Sequence, residues 1–558
     1  MASDQASQMG WQGPQVVSGG LAARLDAAGR LGVRPLALYA LHRAAARAPT
    51  PPAPPRPPFL AAPRADLPGI DWHGPFSATR PGFGMDLFGP GDVRPVWEAG
   101  RLGDLPGLVA RGDLPAAEAL VTSFVAANPP FQGPHWACGQ EAALRAMHLC
   151  LALTLAGRET MAGMRALLQA SAARIEATPF YAPAQDNNHP ISEAAGRFAI
   201  ALLLRQPTAA PARALARHVA RLVAPDGGFA QVSPGYHRLL LDVLAVVEWL
   251  RRRHGAPPFP PPFADRAVAA TRWLLAVTDA GTGATPRLGL EDDSAFADLS
   301  GAGPRDARAS LERAARIFCD ASAGVERDPG CAALGLAAPS VRLMPPARLA
   351  ATGSQVWREG GAVGVLRTGP LRTRPGQSDL LHLTLLDRGR DVLRDGGTGA
   401  YNPPADWWWS ALAGAAAHNA PVFDDAEPMR RAGRFLLADW PTLAALPDGA
   451  RLRDRRGNQL ERRVIAQGRR WSVTDGLAGP FAHVAWRWRL PPGPWALTED
   501  GVSGPALRIA ISADAPFRLA LESGFESPAY GRITPAPMLL VRAAAPIARM
   551  TTRILLPA

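Results

Sequence analysis

A chain of 558 residues, 47% hydrophobic and 19% charged, has the length of two to four domains and enough apolar residues for a core, which excludes a wholly disordered protein. No apolar run approaches the ~18–20 residues that cross a membrane, so a membrane-spanning protein is excluded as well. The net charge of +12 comes from 60 basic residues, all arginine, against 48 acidic ones; arginine without lysine, beside 55 Gly and 57 Pro, reads as codon bias before it reads as a nucleic-acid surface.

In chain order, residues 1–46 are weakly helical, and Ala48–Pro68 is an extended, Pro-rich linker. The first twenty residues show no basic stretch followed by an apolar one, so no secretory leader is read there. Apolar residues at i, i+3, i+4 and i+7 then predict helices over Leu105–Ala127, Gly139–Ala156, Glu159–Ala177, Ser192–Leu204, Pro211–Val223, Tyr236–Arg253, Asp265–Val277 and Asp306–Ala323. Beyond about residue 345 the period falls to two. Strands are expected over Ala362–Arg367, Leu380–Leu386, Arg463–Ala466, Trp471–Thr474, Val484–Leu490, Leu507–Ile511, Phe517–Glu522, Met538–Arg542 and Thr551–Leu556. Helices followed by strands mean an α+β multidomain chain, an all-α domain before an antiparallel β-sandwich, rather than a doubly wound sheet. The division is residues 1–68 as leader and linker, 69–340 as the helical domain and 341–558 as the β domain. The β domain holds +9 of the charge, a distribution suited to a polyanionic substrate. Cys138, Cys150, Cys319 and Cys331 have neither a C-x-x-C pair nor zinc-like spacing.

Three polar clusters stand out. Gln185, Asp186, Asn187, Asn188 and His189 precede Ser192, a candidate N-cap, and form either an anion-receiving loop or a capping loop. Tyr236, His237 and Arg238 open a helix, as an acid/base group with a cationic clamp or as a tyrosine packed on the core. The third cluster gathers Arg374, Gln377, Asp379, His382, Asp395, Tyr401, Trp407–Trp409 and His418 in the β domain. Stacked tryptophans there suit sugar faces or an interdomain filling equally.

HWACGQEAALRAMHLCLAL (135–153), QDNNHPISEAAG (185–196), YHRLLLD (236–242), RPGQSDLLHLTL (374–385), LRDGGTGAYNPP (393–404) and AAAHNAPVFDD (415–425) together resemble, in this order, the heparinase II/III-like and alginate lyase superfamily of polysaccharide lyases. The resemblance implies an (α/α) toroid joined to an antiparallel β-sandwich, with the active site in the cleft between them. It implies a carbon–oxygen lyase that cuts uronic-acid glycans by β-elimination. Asn188 and His189, with Asn187 beside them, match the block that neutralises the uronate carboxylate, and Tyr236 matches the acid that also serves as base. A phenolate at Tyr236 needs a nearby cation, for which Arg238 is the adjoining candidate. Asn187, Arg238, Arg374, Gln377, Trp407 and Trp408 are expected to bind and position the glycan. Asp395 and His418 match metal-coordinating residues.

The chain departs from the family pattern where a catalytic and a metal-ligand histidine are replaced by Pro375 and Gln377; Asp379 is kept. Glutamine is a poorer zinc ligand than imidazole, so a structural zinc is weakened and no cofactor is required. His382 is either a substitute base or a packed strand histidine. Gly399 stands where relatives carry a tyrosine. The expected partner is an acidic polysaccharide, with no nucleic acid. The resemblance implies the periplasm or cell envelope, and the missing leader leaves the cytoplasm open. Two other readings fit. A toroid-type glycoside hydrolase needs two carboxylates about 5–9.5 Å apart, for which Asp186, Glu193 and Glu291–Asp293 are the candidates. A non-catalytic glycan-binding or surface-polysaccharide assembly factor would keep the scaffold alone.

Overall fold

Helix Pro234–Arg253 shows how the helical half is specified. Ser233 is extended and its Oγ accepts from the Tyr236 N–H at 3.3 Å; Pro234 fills a first-turn position that needs no donor, and three arginines close the last turn. Leu239, Leu240, Val243, Leu244, Val247 and Leu250 are all buried. Each such side chain contributes roughly 1.5–3 kcal/mol of burial.

The computed structural model describes residues 19–45, 69–158 and 162–558. The linker expected at Ala48–Pro68, the first 18 residues and the start of the helix expected from Glu159 lie outside them. The other principal helices are Gly139–Leu155, Ala162–Glu176, His189–Leu203, Ala209–Leu222, Phe263–Val277 and Arg308–Phe318. His189–Leu203 packs on Gly139–Leu155, Ala209–Leu222 and Pro234–Arg253, and the last of these meets Phe263–Val277 and Arg308–Phe318. The helix expected over Leu105–Ala127 is two, Leu105–Ala110 and Leu114–Ala127. Gly112 turns between them at φ +79°, and Asp113 caps the second through the Ala116 N–H. No helix among the described residues is long and apolar enough to cross a membrane.

Two N-terminal helices, Leu21–Leu31 and Val33–Ala45, are docked on the rest of the chain. Asp26 accepts from the Asp439 N–H (2.7 Å), Arg30 donates to the Trp440 carbonyl (2.8 Å), and Arg34 pairs with Asp186 (2.9 Å).

The β half begins with a five-stranded antiparallel sheet in the order Arg348–Ala351, Ser354–Glu359, Ala362–Arg367, Leu383–Asp387, Arg390–Leu393. Its central strand, Ala362–Arg367, is buried at every position because both faces are covered. Val363 and Val365 join the helical core, while Ala362 and Leu366 join the β core. Gly364 sits against Trp471, whose ring would lie 2.4 Å from an added Cβ. This sheet therefore welds the two halves together.

An eight-stranded sheet and a four-stranded sheet complete the β half. In the larger, Arg470–Ala478 alternates inward Trp471, Val473, Asp475 and Leu477 with less buried neighbours. At its centre Arg462 and Asp475 form a fully buried, two-pronged pair (2.7 and 2.8 Å). A helical half followed by antiparallel sheets is the architecture the sequence patterning predicts.

Candidate active site

Tyr236 emerges from the capped end of its helix toward the β half. Its hydroxyl donates to Asp292 Oδ2 (3.2 Å), and the Tyr401 hydroxyl bonds to it across the domain boundary. Each hydroxyl has one proton. With Tyr236 donating to Asp292, Tyr401 is the donor to Tyr236. Arg94 Nε holds the same Asp292 oxygen at 3.0 Å, and Arg94 Nη2 donates to Ser294. Burial works against the Asp292 charge, but Arg94 and Arg101 hold its carboxyl below the usual range. Burial first, and the Asp292 charge second, push the Tyr236 phenol well above its ordinary value. Tyr236 is therefore a protonated acid at neutral pH.

The cleft beside Tyr236 is lined by Gln231, Ser233, Leu290, Arg374, Gln377 and Asp379 among others. Arg374 is half-buried there, and among the described residues no carboxylate reaches it at ion-pair distance. The Asn188 N–H donates to Gln231 Oε1 (2.8 Å), which ties Asn188 to a residue of the cleft lining. Burial first, then Arg374 and Arg101, push the His189 imidazole down to about 3. Its Nδ1 is buried without a partner, so His189 is a neutral base with a free ring nitrogen. Gln377 donates to the Gly397 carbonyl (2.9 Å) and leaves Oε1 unpartnered.

Other expected site residues lie elsewhere. Arg238 points away from Tyr236: it is buried, donating to Ser310 (3.3 Å) and to the Pro304 carbonyl, because two residues turn about 200° around a helix. Arg94 is the cation on the Tyr236 side, and it is spent on Asp292. Asn187 spends its amide on Gln185 and on the His189 N–H (both 3.0 Å), and so braces the loop. Ser192 is not the cap; the helix starts at His189, and the Ser192 hydroxyl donates to the Asn188 carbonyl. Trp407 packs on Phe525 at 5.0 Å and Trp408 is buried beneath Gly399, so neither lines the cleft. No motif in the sequence points to Arg94 or Asp292 as neighbours of Tyr236, or to Tyr401 as its hydrogen-bond partner. The chain has only five tyrosines, and three of them, Tyr236, Tyr401 and Tyr530, converge here; that scarcity was the available signal.

His382 is separated from Tyr236 and joins Asp395 and His418 in a fully buried cluster of the kind that holds metals. Its hydrogen bonds test the fit. The Asn419 N–H, which can only donate, reaches His382 Nδ1 at 2.8 Å, so neutral His382 carries its proton on Nε2, 3.3 Å from Asp395 Oδ2. His418 Nδ1 donates to that same oxygen at 2.7 Å, and Asp395 Oδ1 accepts from the Gly397 N–H. Zinc needs unprotonated imidazole nitrogens. Only His418 Nε2 offers one, and the three residues as bonded do not fit a zinc ion.

Residues 342–532 match the family described as Heparinase II/III-like, C-terminal. The chain has a polysaccharide lyase fold. It resembles heparinase III (TM-score 0.59, 15% identity, over 84% of this chain and 80% of that one). It also resembles a mutant of the heparan sulfate lyase HepC from Pedobacter heparinus (0.55, 16%, 98% and 93%). A third likeness is to the Streptomyces coelicolor A3 chondroitin AC lyase in complex with chondroitin sulphate (0.51, 13%, 83% and 75%). At these identities the likeness is one of fold. No curated protein sequence matches the chain.

The carboxylates considered for a hydrolase have other partners: the Gly235 N–H donates to Glu291 (3.3 Å) and Arg305 pairs with Asp293 (2.9 Å). Asp186 is clamped by Arg34 and Arg221, and Asp292 by Arg94. Glu193 is buried with Oε1 unpartnered, and burial pushes its carboxyl up to about 8. A carboxyl near 4.5 when unfolded and about 8 when folded binds its proton more tightly in the folded chain. Its share of stability is full below about pH 4.5 and is lost as pH rises to about 8. Between pH 6 and 8 the melting temperature should fall, and Glu193→Gln should flatten that slope in parallel thermal melts. An equal slope in both proteins would contradict the assignment.

Proposed function

We propose that the chain is a polysaccharide lyase that cleaves an acidic, uronic-acid glycan by β-elimination. The observation that carries the reading is the protonated Tyr236 hydroxyl, set in the cleft between the two halves and backed by Tyr401. Arg374, with the Asn188 amide, takes the C6 carboxylate and makes the C5 proton removable. His189 accepts that proton; its electron pair becomes the C4–C5 double bond as the C4–O bond breaks. Tyr236 gives its proton to the departing oxygen. Tyr401, already donating to Tyr236, refills that position and takes a proton from solvent in its turn, while the proton on His189 leaves to solvent, so the cycle closes. Asp292 keeps Tyr236 protonated between turnovers, so its role is that of acid rather than base.

The test is a screen of alginate, heparan-type, hyaluronan-type and bacterial capsular polysaccharides, followed by the ultraviolet absorbance of the unsaturated product. Product on at least one supports the reading. Glycan binding without product on any would support the non-catalytic binding factor instead. On the lyase reading the setting is the periplasm or cell envelope.

The protonation states set the pH dependence. His189 is neutral above about pH 4, and Tyr236 keeps its proton beyond about pH 10. The rate should therefore hold on the alkaline side to about pH 9, and kcat/KM measured from pH 6 to 9 checks it. Loss of rate along a deprotonation near pH 7–8 that follows Tyr236 would contradict the assignment.

Catalysis on this reading runs on side chains alone, with the Asp395, His382 and His418 cluster serving as a strut. Purified protein should contain well under one zinc per chain by elemental analysis, and a chelator should leave its melting temperature unchanged. One tightly held zinc per chain would overturn this.

A further inference from the structure

A second cavity of about 290 Å³ opens where the N-terminal helix Leu21–Leu31 meets the β half, lined by Arg24, Asn402, Asp406, Trp409, Arg431 and Arg434. It begins one residue beyond Tyr401. Arg434 Nη1 donates to the Tyr401 carbonyl (2.5 Å) and to Asn402 Oδ1 (3.0 Å), and its guanidinium lies 4.4 Å from the Phe88 ring centre. Arg431 lies 4.0 Å from the Trp409 ring centre, and its Nε donates to the Gly433 carbonyl. Arg431 is tied to the N-terminal segment, since its carbonyl accepts from the Gly19 N–H at 2.7 Å.

Both guanidinium groups are half-buried; burial and then the Arg434 charge work against the charge on Arg431, and burial works against that on Arg434. Among the described residues no carboxylate stands within ion-pair distance of Arg24, Arg431 or Arg434; Asp406 sits exposed at the rim, and Asp86 and Asp92 act on Arg434 only from farther off. Two arginines fixed by aromatic rings and backbone, neither of them in an ion pair and Arg431 opposed by the Arg434 charge, are prepared for an anion. A planar oxyanion takes paired guanidinium donors in charge-assisted bonds and removes that repulsion. The volume is at the small end for a ligand pocket, room for one sugar residue.

We propose that this cavity is a distal subsite that binds the carboxylate or sulfate of an acidic sugar residue in the glycan chain, away from the bond that breaks, with Arg24, Arg431 and Arg434 as its ligands. It rests on the reading of the chain as acting on an acidic glycan. The N-terminal helix thereby becomes part of the binding surface, through Arg24.

The experiment is calorimetric titration of the full chain carrying Tyr236→Phe, so that the probe is not consumed. The probes are an alginate-type hexasaccharide (carboxylates only), a heparan-type hexasaccharide (carboxylates and sulfates) and a neutral glucan hexasaccharide. Adding Arg24→Gln and Arg431→Gln should weaken the acidic probes at least tenfold and flatten the dependence of Kd on salt. The neutral probe should show no such change. Arg434→Gln is made separately because Arg434 also holds Tyr401. Equal losses for the two acidic probes assign the site to carboxylate, and a larger loss for the heparan-type probe assigns it to sulfate. Unchanged affinity in the arginine variants, or no binding of either acidic probe to the Tyr236→Phe chain, overturns the subsite. If the arginine variants lose binding while the unaltered chain yields no unsaturated product, the subsite stands and the elimination reading fails.

Discussion

Replacing Tyr236 with phenylalanine is expected to slow release of unsaturated product by roughly a hundred- to ten-thousand-fold, the usual worth of a positioned general acid. The substitution removes one oxygen and leaves the ring in place, so the packing of helix Pro234–Arg253 on its neighbours is retained. Asp292 keeps its ion pair with Arg94 at 3.0 Å, and Tyr401 loses its acceptor. The fold should survive, and circular dichroism with a thermal melt checks that before the rate is read. A variant that keeps its rate within a few-fold would remove Tyr236 from the chemistry. His189→Ala should slow the same step, while Arg238→Gln should act through stability, because Arg238 bonds Ser310 and Pro304 rather than the cleft.

The second large effect lies far from the cleft. Arg462→Met should destabilise the β half by about 3–5 kcal/mol, because breaking a fully buried ion pair strands the remaining charge. Arg462 does more than neutralise Asp475: its Nη1 also donates to the Leu381 carbonyl (2.7 Å) and to the Asn419 carbonyl. The Trp486 indole N–H at 2.9 Å would be the side-chain donor left to the Asp475 carboxylate. The double variant Arg462→Met, Asp475→Leu should be less damaged than the single one, since it removes the orphaned charge. Urea unfolding followed by tryptophan fluorescence measures both. A single variant as stable as the parent would contradict the central role of the pair.

How far the sequence reached depended on whether a signal was periodic and local. The stripe from Leu239 to Leu250 and the alternation through Trp471 and Val473 are repeated patterns, and those elements stand where the periods put them. Ser354–Glu359 escaped notice because a strand covered on both faces does not alternate. His382 falls inside the strand expected over Leu380–Leu386, but the strand starts at Leu383. The preceding residues turn, with Leu381 at φ +61° and the His382 N–H donating to the Asp379 carbonyl, so alternation does not apply. In the candidate site, Tyr236 and His189 stand in short motifs, and both lie in the first turn of a helix. Arg94, Asp292 and Tyr401 come from segments up to 307 residues apart and meet only once both halves have folded, which no local spacing encodes. Arg238 is the neighbour of Tyr236 in sequence but not in space.

The most direct measurement is the mass of the first product released from an acidic hexasaccharide of defined sequence. Elimination leaves the new non-reducing end lighter by one water than hydrolysis does, with a C4–C5 double bond in that sugar. That lighter, unsaturated fragment is the expected result, together with its loss in the Tyr236→Phe chain. A fragment carrying the added water would contradict it.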